Sequence, residues 1–367
     1  MPTHLITGAT GFVGGAIVLE LLRRTQDPVV ALVRPGDQGA SERLASSLRG
    51  AAVAYGLSPD DLPFDRVTAL AGDVTLPGCG VDAPPPADIL WHSAASLRYE
   101  DRYAEEITAT NVVGTRNALA LARAAGVTAF NHVSTAYVAG RREGKIAEEP
   151  IEEAQSQNHY ERSKVAAEAL SRAAEGLRVR ILRPSIVVGH SRTLAATTFS
   201  GLYGFTRQLL QYKGILERTQ AGLSRTRRLT VRATDDGPID MVPVDAVAAQ
   251  SVQIGLQPNA EGVYHLTAEN PGTIGDAIRA VADVVGFPGV DIVGPEVELD
   301  WLDRQFDQRL DFYAGYVRGD RSFDRTRTLT ALDDHAGARP RTPPTTSLAA
   351  WYLPVLEASR RQLPAAR

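Results

Sequence analysis

The run His4-Leu5-Ile6-Thr7-Gly8-Ala9-Thr10-Gly11-Phe12-Val13-Gly14-Gly15-Ala16-Ile17-Val18 constrains this chain more than any other stretch. A short apolar strand enters glycines spaced Gly8-x-x-Gly11-x-x-Gly14 and leaves in an amphipathic helix that runs through Arg24. Gly8 permits a tight turn, Gly11 lets backbone approach a pyrophosphate, and Gly14 lets helix and strand pack closely. The start of the helix offers unpaired amides and the positive end of its dipole to phosphates. The spacing is informative because it sits between the first strand and the first helix.

The pattern repeats downstream. Pro28–Val33 reads as a second apolar strand, Val67–Ala71 as a third before Gly72-Asp73, Ala87–His92 as a fourth, Val127–Val133 as a fifth and Leu177–Leu182 as a sixth. A long helical stretch from about Tyr103 to Ala125 separates the fourth from the fifth. Strands alternating with helices predict an α/β fold built on a doubly wound parallel sheet. Ligand then belongs at the carboxyl ends of the strands, where Gly8, Arg34, Asp73, Ser93 and Thr135 fall. Residues 1–190 plus about 237–257 are expected to form the nucleotide-binding domain. A smaller, interlocked C-terminal substrate portion is expected from 191–236 plus about 258–367.

In Asn158-His159-Tyr160-Glu161-Arg162-Ser163-Lys164, the four-residue gap puts Tyr160 and Lys164 on one helix face, one turn apart. Lys145, Lys164 and Lys213 are the three lysines among 39 basic side chains, so a compact ammonium kept here points to a role that arginine fills poorly. Such an ammonium is expected to reach a cofactor ribose and to lower the pKa of the phenol. The second strand ends in Arg34, where an NAD enzyme would usually place an acid for the ribose 2′-hydroxyl. An arginine suits a 2′-phosphate instead, so NADPH (NADP) is the expected cofactor.

With Thr7–Gly14, Gly72-Asp73-Val74, His92–Ala95, Asn111–Thr115, Val133-Ser134-Thr135-Ala136, the Tyr160/Lys164 pair and Arg183-Pro184-Ser185 in this order, the chain resembles the extended short-chain dehydrogenase/reductase superfamily over nearly all its length. Within it the likeness is to the thioester reductase and fatty acyl-CoA reductase (male sterility) branch. That likeness rests on Ala31–Arg34 followed by Ser41–Leu44, on Tyr160–Glu168 with Leu182–Ser191, and on Leu310-Asp311-Phe312-Tyr313-Ala314-Gly315-Tyr316 followed by Phe323-Asp324. The resemblance implies a Rossmann fold in which Asp73, with Val74 beside it, holds the adenine edge. It has Gly8, Thr10, Gly11, Phe12, Val13 and Gly14 embracing the phosphates, and Ser93, Ala94, Ala95 and Val133 lining the cofactor. Pro184, Ser185, Ile186 and Val187 border the nicotinamide, Asn111 buttresses the site, and Arg43 joins Arg34 at the 2′-phosphate.

By the same resemblance Thr135, Tyr160 and Lys164 are the catalytic residues, with Ser134 as the fallback for Thr135. Hydride goes to a carbonyl carbon while Tyr160 and Thr135 serve the oxygen. The implied substrate is an acyl thioester on coenzyme A or on an acyl or peptidyl carrier protein, and the product an aldehyde or alcohol. A ketone or aldehyde reductase uses the same residues and stays open. A non-catalytic NADP-binding regulator stays as the distant alternative. Sugar-nucleotide dehydratases put an acid pair after the threonine, where this chain has Ala136 and Tyr137.

Phe199, Tyr203 and Phe205 are expected to wall an acyl pocket, and Arg225, Arg227 and Arg228 to meet an acidic carrier or pantetheine phosphate at its mouth. Ile239–Asp245 reads as a return to the sheet. The net charge of −4 leaves no nucleic-acid footprint, Cys79 is the single cysteine, and the seven histidines show no metal spacing. No stretch reaches membrane-spanning length and no signal-peptide pattern opens the chain, so a cytoplasmic location is expected.

Overall fold

A computed structural model describes residues 1–98, 100–151, 155–333 and 340–362. His335 and the side chains of Asp311, Phe312 and Ala314 lie outside that description. The six expected strands and one from the C-terminal portion form one seven-stranded parallel sheet: β1 His4–Thr7, β2 Val29–Val33, β3 Val67–Ala71, β4 Ile89–His92, β5 Ala129–Val133, β6 Arg178–Pro184 and β7 Gly262–Leu266. Their order is β7-β6-β5-β4-β1-β2-β3. The order reverses between β1 and β4, which pair from His4 with Ile89 to Thr7 with His92, and a ligand crevice opens beyond such a reversal.

Helices α1 Phe12–Arg24, α2 Gly39–Ala54, α3 Gly114–Ala124 and α4 His159–Arg172 flank the sheet. All the strands but the half-exposed edge strand β3 are largely buried, because helices cover both faces. Ile6, Ile17, Leu21, Val29 and Leu48 belong to the core that α1 and α2 share with the sheet. Leu5, Leu90, Leu119, Phe130 and Ile181 belong to another core, to which α3 contributes. The stretch read as one helix from Tyr103 begins at Ala104 and is interrupted by a π-turn at Thr108–Val113. Such turns commonly occur at functional sites, and this one carries Asn111.

The smaller portion packs α5 Leu202–Thr219 and, further along the chain, Ile274–Val285 (α7) with several short strands, whereas α6 Val244–Gly255 between them packs on α1 in the main core. Here two sequence expectations need correction. Ile239–Asp245 does not return to the main sheet. Pro238–Ile239 pairs antiparallel with Gly272–Thr273, and Met241–Pro243 runs parallel to Ile186–Val188. Strand β7, assigned to the substrate portion by its position in the chain, is the edge of the main sheet and pairs with β6. Its apolar run Val263-Tyr264-His265-Leu266 is long enough for a buried strand, but strand partners are not visible in local pattern. Leu209, Tyr212, Ile278, Val281 and Phe306 form the core of the smaller portion.

Candidate active site

The turn after β1 is built as its glycines require. Gly8 has φ +78°, and a Cβ there would lie 2.6 Å from the Ala94 nitrogen. A Cβ on Gly14 would lie 2.2 Å from the Gly8 oxygen. Gly11 caps α1 without a side-chain hydrogen bond, so no side chain competes for the first amides. These features fit a dinucleotide pyrophosphate: a cradle that any side chain would fill, facing a helix start.

Beside the turn lies a cavity of about 770 Å³. Gly11, Phe12, Val13, Gly14, Ser93, Ala95 and Val133 line it, as do Pro184, Ser185, Ile186 and Val187. Thr135, Tyr160 and Lys164 share the same wall. The catalytic candidates and the dinucleotide turn therefore meet in one space.

Local sequence sets that meeting. Asn158 caps α4, its Oδ1 accepting from the Glu161 amide at 2.9 Å, while Glu161 Oε2 accepts from the Gln157 amide at 2.7 Å. This reciprocal cap starts the helix so that Tyr160 falls in its first turn and Lys164 one turn later. The helix is fastened to β6 by a buried bidentate pair, with Arg183 Nε donating to Glu168 Oε1 at 2.9 Å and Nη2 to Oε2 at 2.6 Å. Asn111 ties it to the loop after β4: its Oδ1 accepts from the Ser96 amide at 2.8 Å, and its Nδ2 donates to Ser163 Oγ at 2.9 Å and to the Ser96 carbonyl at 3.1 Å.

The Lys164 ammonium donates to the Val133 carbonyl at 2.8 Å and stands 3.5 Å from His132 Nε2. Burial lowers its pKa to about 8, against a weaker opposing pull from Glu168. The same burial keeps His92 and His132 neutral beneath it, pushing His92 down to about 3 and His132 well below its ordinary value. The expected lowering of the phenol's pKa is not found. Burial, with the Glu161 carboxylate second, pushes Tyr160 above its ordinary value. The lysine's charge is turned toward the Val133 carbonyl, and the phenol keeps its proton.

The Tyr137 amide donates to Thr135 Oγ1 at 3.2 Å, which leaves the threonine's own hydrogen free to donate. Ser134 also lines the cavity, and its buried hydroxyl has no hydrogen-bond partner among the described residues. Both hydroxyls are therefore available to an oxygen in the cavity.

Other nominated residues lie off the cavity wall. Gly8 and Ala94 shape the turn, the Ala94 amide donating to Thr7 Oγ1 at 3.3 Å. The Thr10 carbonyl accepts from Ser47 Oγ at 3.2 Å. Asp73 Oδ1 accepts from the Thr75 amide and hydroxyl, each at 2.9 Å. Val74 is a core residue whose carbonyl accepts from Asn117 Nδ2 at 2.8 Å. Arg34 is exposed at the end of β2, and Arg43 Nη1 donates to its carbonyl at 2.9 Å. Asn111 is absent from the wall and acts through the hydrogen bonds given above.

On the substrate side Phe199 and Phe205 line the cavity, but Tyr203 does not; its hydroxyl accepts from the Gly189 amide at 2.8 Å. The arginine cluster is a clear miss. Arg227 pairs with Asp303 at 2.8 Å and also with Asp300, Arg228 pairs with Asp291 at 2.7 Å, and no member of the trio lines the cavity. The sequence reading assigned no role to Tyr137, Tyr313, Tyr316, Arg98 and Arg207, all on the wall. The rings of Tyr137 and Tyr316 lie 4.6 Å apart. The Tyr313-x-x-Tyr316 spacing was visible, but nothing local says that it faces Tyr137.

The family described as the male sterility protein, an NAD-binding family, matches residues 6–251. The chain belongs to that family. It is an NAD(P)-binding domain of the thioester reductase branch of the extended short-chain dehydrogenase/reductase superfamily. It is 28% identical over 294 residues to a linear gramicidin synthase polypeptide from Brevibacillus parabrevis, the match covering 76% of this chain and 5% of that one. It is 27% identical over 290 residues to sterol demethylase protein B from Methylococcus capsulatus, covering 78% and 75%. The terminal R domain of the myxalamid PKS-NRPS biosynthetic pathway superposes with a TM-score of 0.76 at 27% identity, covering 100% of this chain and 93% of that one. The chain spans 5% to 29% of the first three curated relatives it matches. No helix among the described residues is long and apolar enough to cross a membrane.

Proposed function

We propose that this chain is an NADPH-dependent reductase that converts an acyl thioester, carried on coenzyme A or a carrier protein, to an aldehyde. The observation that carries the reading is the convergence of Thr135, Tyr160 and Lys164 on the cavity that the Gly11–Gly14 turn also lines. Its similarity to the terminal R domain of the myxalamid pathway supports a thioester over a free carbonyl. Arg34 and Arg43 at the end of β2 favour a 2′-phosphate, hence NADPH.

When bound, the cofactor supplies a hydride to the carbonyl carbon. Tyr160 gives its proton to the carbonyl oxygen, and the free hydroxyl hydrogen of Thr135 supports that oxygen as negative charge develops. The raised pKa of Tyr160 keeps the phenol in the donor form this direction requires. Lys164 would hold the nicotinamide ribose with the ammonium that faces the Val133 carbonyl. The resulting hemithioacetal collapses to thiol and aldehyde.

The test is NADPH oxidation against acyl-CoA, acyl-pantetheine, aldehydes and ketones. Turnover on thioesters, lost in Tyr160→Phe with NADPH binding intact, is the expected result. Brisk reduction of free ketones with no oxidation of NADPH on any thioester refutes it and leaves a carbonyl reductase.

A further inference from the structure

Three cationic side chains line the cavity, and they differ in what already satisfies them. Lys164 donates to the Val133 carbonyl, and Arg98 pairs with Glu106 at 3.2 Å while lying over the Tyr103 ring. Arg207 is half-buried in α5 and makes no hydrogen bond, ion pair or ring contact with another described residue. The lining of that cavity is mostly apolar, Phe199, Leu202, Phe205 and Met241 among it, with Glu100 as a carboxylate on the same wall. A guanidinium partly withdrawn from water in such surroundings is unfavourable until an acceptor arrives. Its planar fork of donors matches a phosphate or carboxylate.

The dinucleotide has its own sites for negative charge. The Gly8–Gly14 cradle fits the pyrophosphate, and Arg34 with Arg43 stands at the end of β2. Arg207 instead belongs to α5, in the core of the smaller portion rather than beside the nucleotide-binding strands. The anion that meets it therefore comes with the substrate.

We propose that Arg207 is the anion anchor of the substrate cavity, binding a phosphate or carboxylate on the incoming thioester. This rests on the thioester reading and adds a residue and a ligand chemistry to it. It also replaces Arg225, Arg227 and Arg228, of which the latter two are committed to Asp300, Asp303 and Asp291. The anion has two chemical sources, the phosphate of a pantetheine arm or a carboxylate at the far end of the acyl group.

Three thioesters separate the sources: butyryl-phosphopantetheine, butyryl-pantetheine and glutaryl-pantetheine. Arg207→Gln is expected to raise KM for the anionic substrate by about ten- to a hundredfold, the range of one charge-assisted hydrogen bond, with kcat little changed. Butyryl-pantetheine is expected to be unaffected, and Arg207→Lys to recover part of the loss. A loss confined to butyryl-phosphopantetheine assigns the phosphate, and one confined to glutaryl-pantetheine assigns the carboxylate. Equal losses on all three thioesters, no loss on any, or weakened NADPH binding in Arg207→Gln overturns the proposal. Calorimetric binding of phosphopantetheine, pantetheine and glutarate to the NADP-loaded protein gives the same comparison without turnover. If the unaltered protein reduces no thioester, the reductase reading fails. The anchor still stands if Arg207→Gln weakens phosphopantetheine or glutarate binding, and falls if it weakens neither.

Discussion

Lys164 is expected to drive stability and cofactor affinity in opposite directions as pH rises. Its side chain is only 3% exposed, and burial brings its pKa from 10.5 to about 8. The unfolded lysine keeps its proton up to about pH 10.5 and the folded one up to about 8, so between them the unfolded state binds more protons. Stability contributed at this residue is therefore present at high pH and is lost as pH falls through 8. The whole gap corresponds to about 3 kcal/mol at 1.36 kcal/mol per decade, of which about 2 kcal/mol accrues between pH 7 and 10. Cys79, pushed up to about 12, and the buried tyrosines Tyr137 and Tyr160 oppose this, because they stay protonated when folded and ionise when unfolded. Comparison with Lys164→Met cancels those groups. Urea denaturation at pH 7, 8, 9 and 10 should show unaltered protein gaining about 2 kcal/mol relative to Lys164→Met. Over the same range NADPH affinity, followed by fluorescence, should decline in the unaltered protein and stay level in Lys164→Arg, whose guanidinium does not deprotonate. An unchanged stability difference across that range, or an NADPH affinity that does not decline above pH 8, refutes the assignment of the titration to Lys164.

Asn111→Ala removes three buried hydrogen bonds and leaves the Ser96 amide without its acceptor, so it should cost about 2–4 kcal/mol in chemical denaturation; a loss under about 0.5 kcal/mol contradicts the buttress. Arg34→Ala should weaken NADPH about tenfold or more and leave NADH nearly unchanged in direct titrations, and equal affinities of the unaltered protein for both cofactors count against the 2′-phosphate site. Acid should destabilise the fold: His92, His132 and His265 are held below their ordinary pKa by burial, so the stability they contribute is present above about pH 6.5 and lost as pH falls. Asp240, raised to about 6 by burial, works against them, because its contribution is present below 3.8 and lost as pH rises through 6. Denaturant curves at pH 6.5, 5.5 and 4.5 should fall by roughly 3 kcal/mol or more, and a level series shows that the carboxylate dominates.

The strand–turn–helix at Gly8–Gly14 and the Tyr160/Lys164 pair were legible because their constraints are local: backbone conformation, close approach and helical spacing. What escaped the sequence depends on partners far along the chain. Arg227 is neutralised by Asp300 and Asp303, more than seventy residues away, and Arg228 by Asp291, 63 residues away. Their spacing alone made them look free. Arg207 carries no mark that separates it from other helix arginines until the cavity around it is known. The Lys164–Tyr160 relation was half visible: helical spacing brought the pair to one wall, but the Val133 carbonyl that holds the ammonium belongs to β5.

The position of β7 has a consequence for synthesis. Its partner β6 leaves the ribosome long before it, since Arg180 pairs with Gly262. Until about eighty more residues are made, the outer edge of β6 lacks its neighbour, with Val179, Ile181 and Leu182 beside an open row of backbone donors and acceptors. The intervening residues build much of the substrate side, so the nascent chain must fold that portion or wait before closing its sheet. Slow translation between residues 185 and 261 would lengthen this vulnerable interval, and chaperone engagement should peak there.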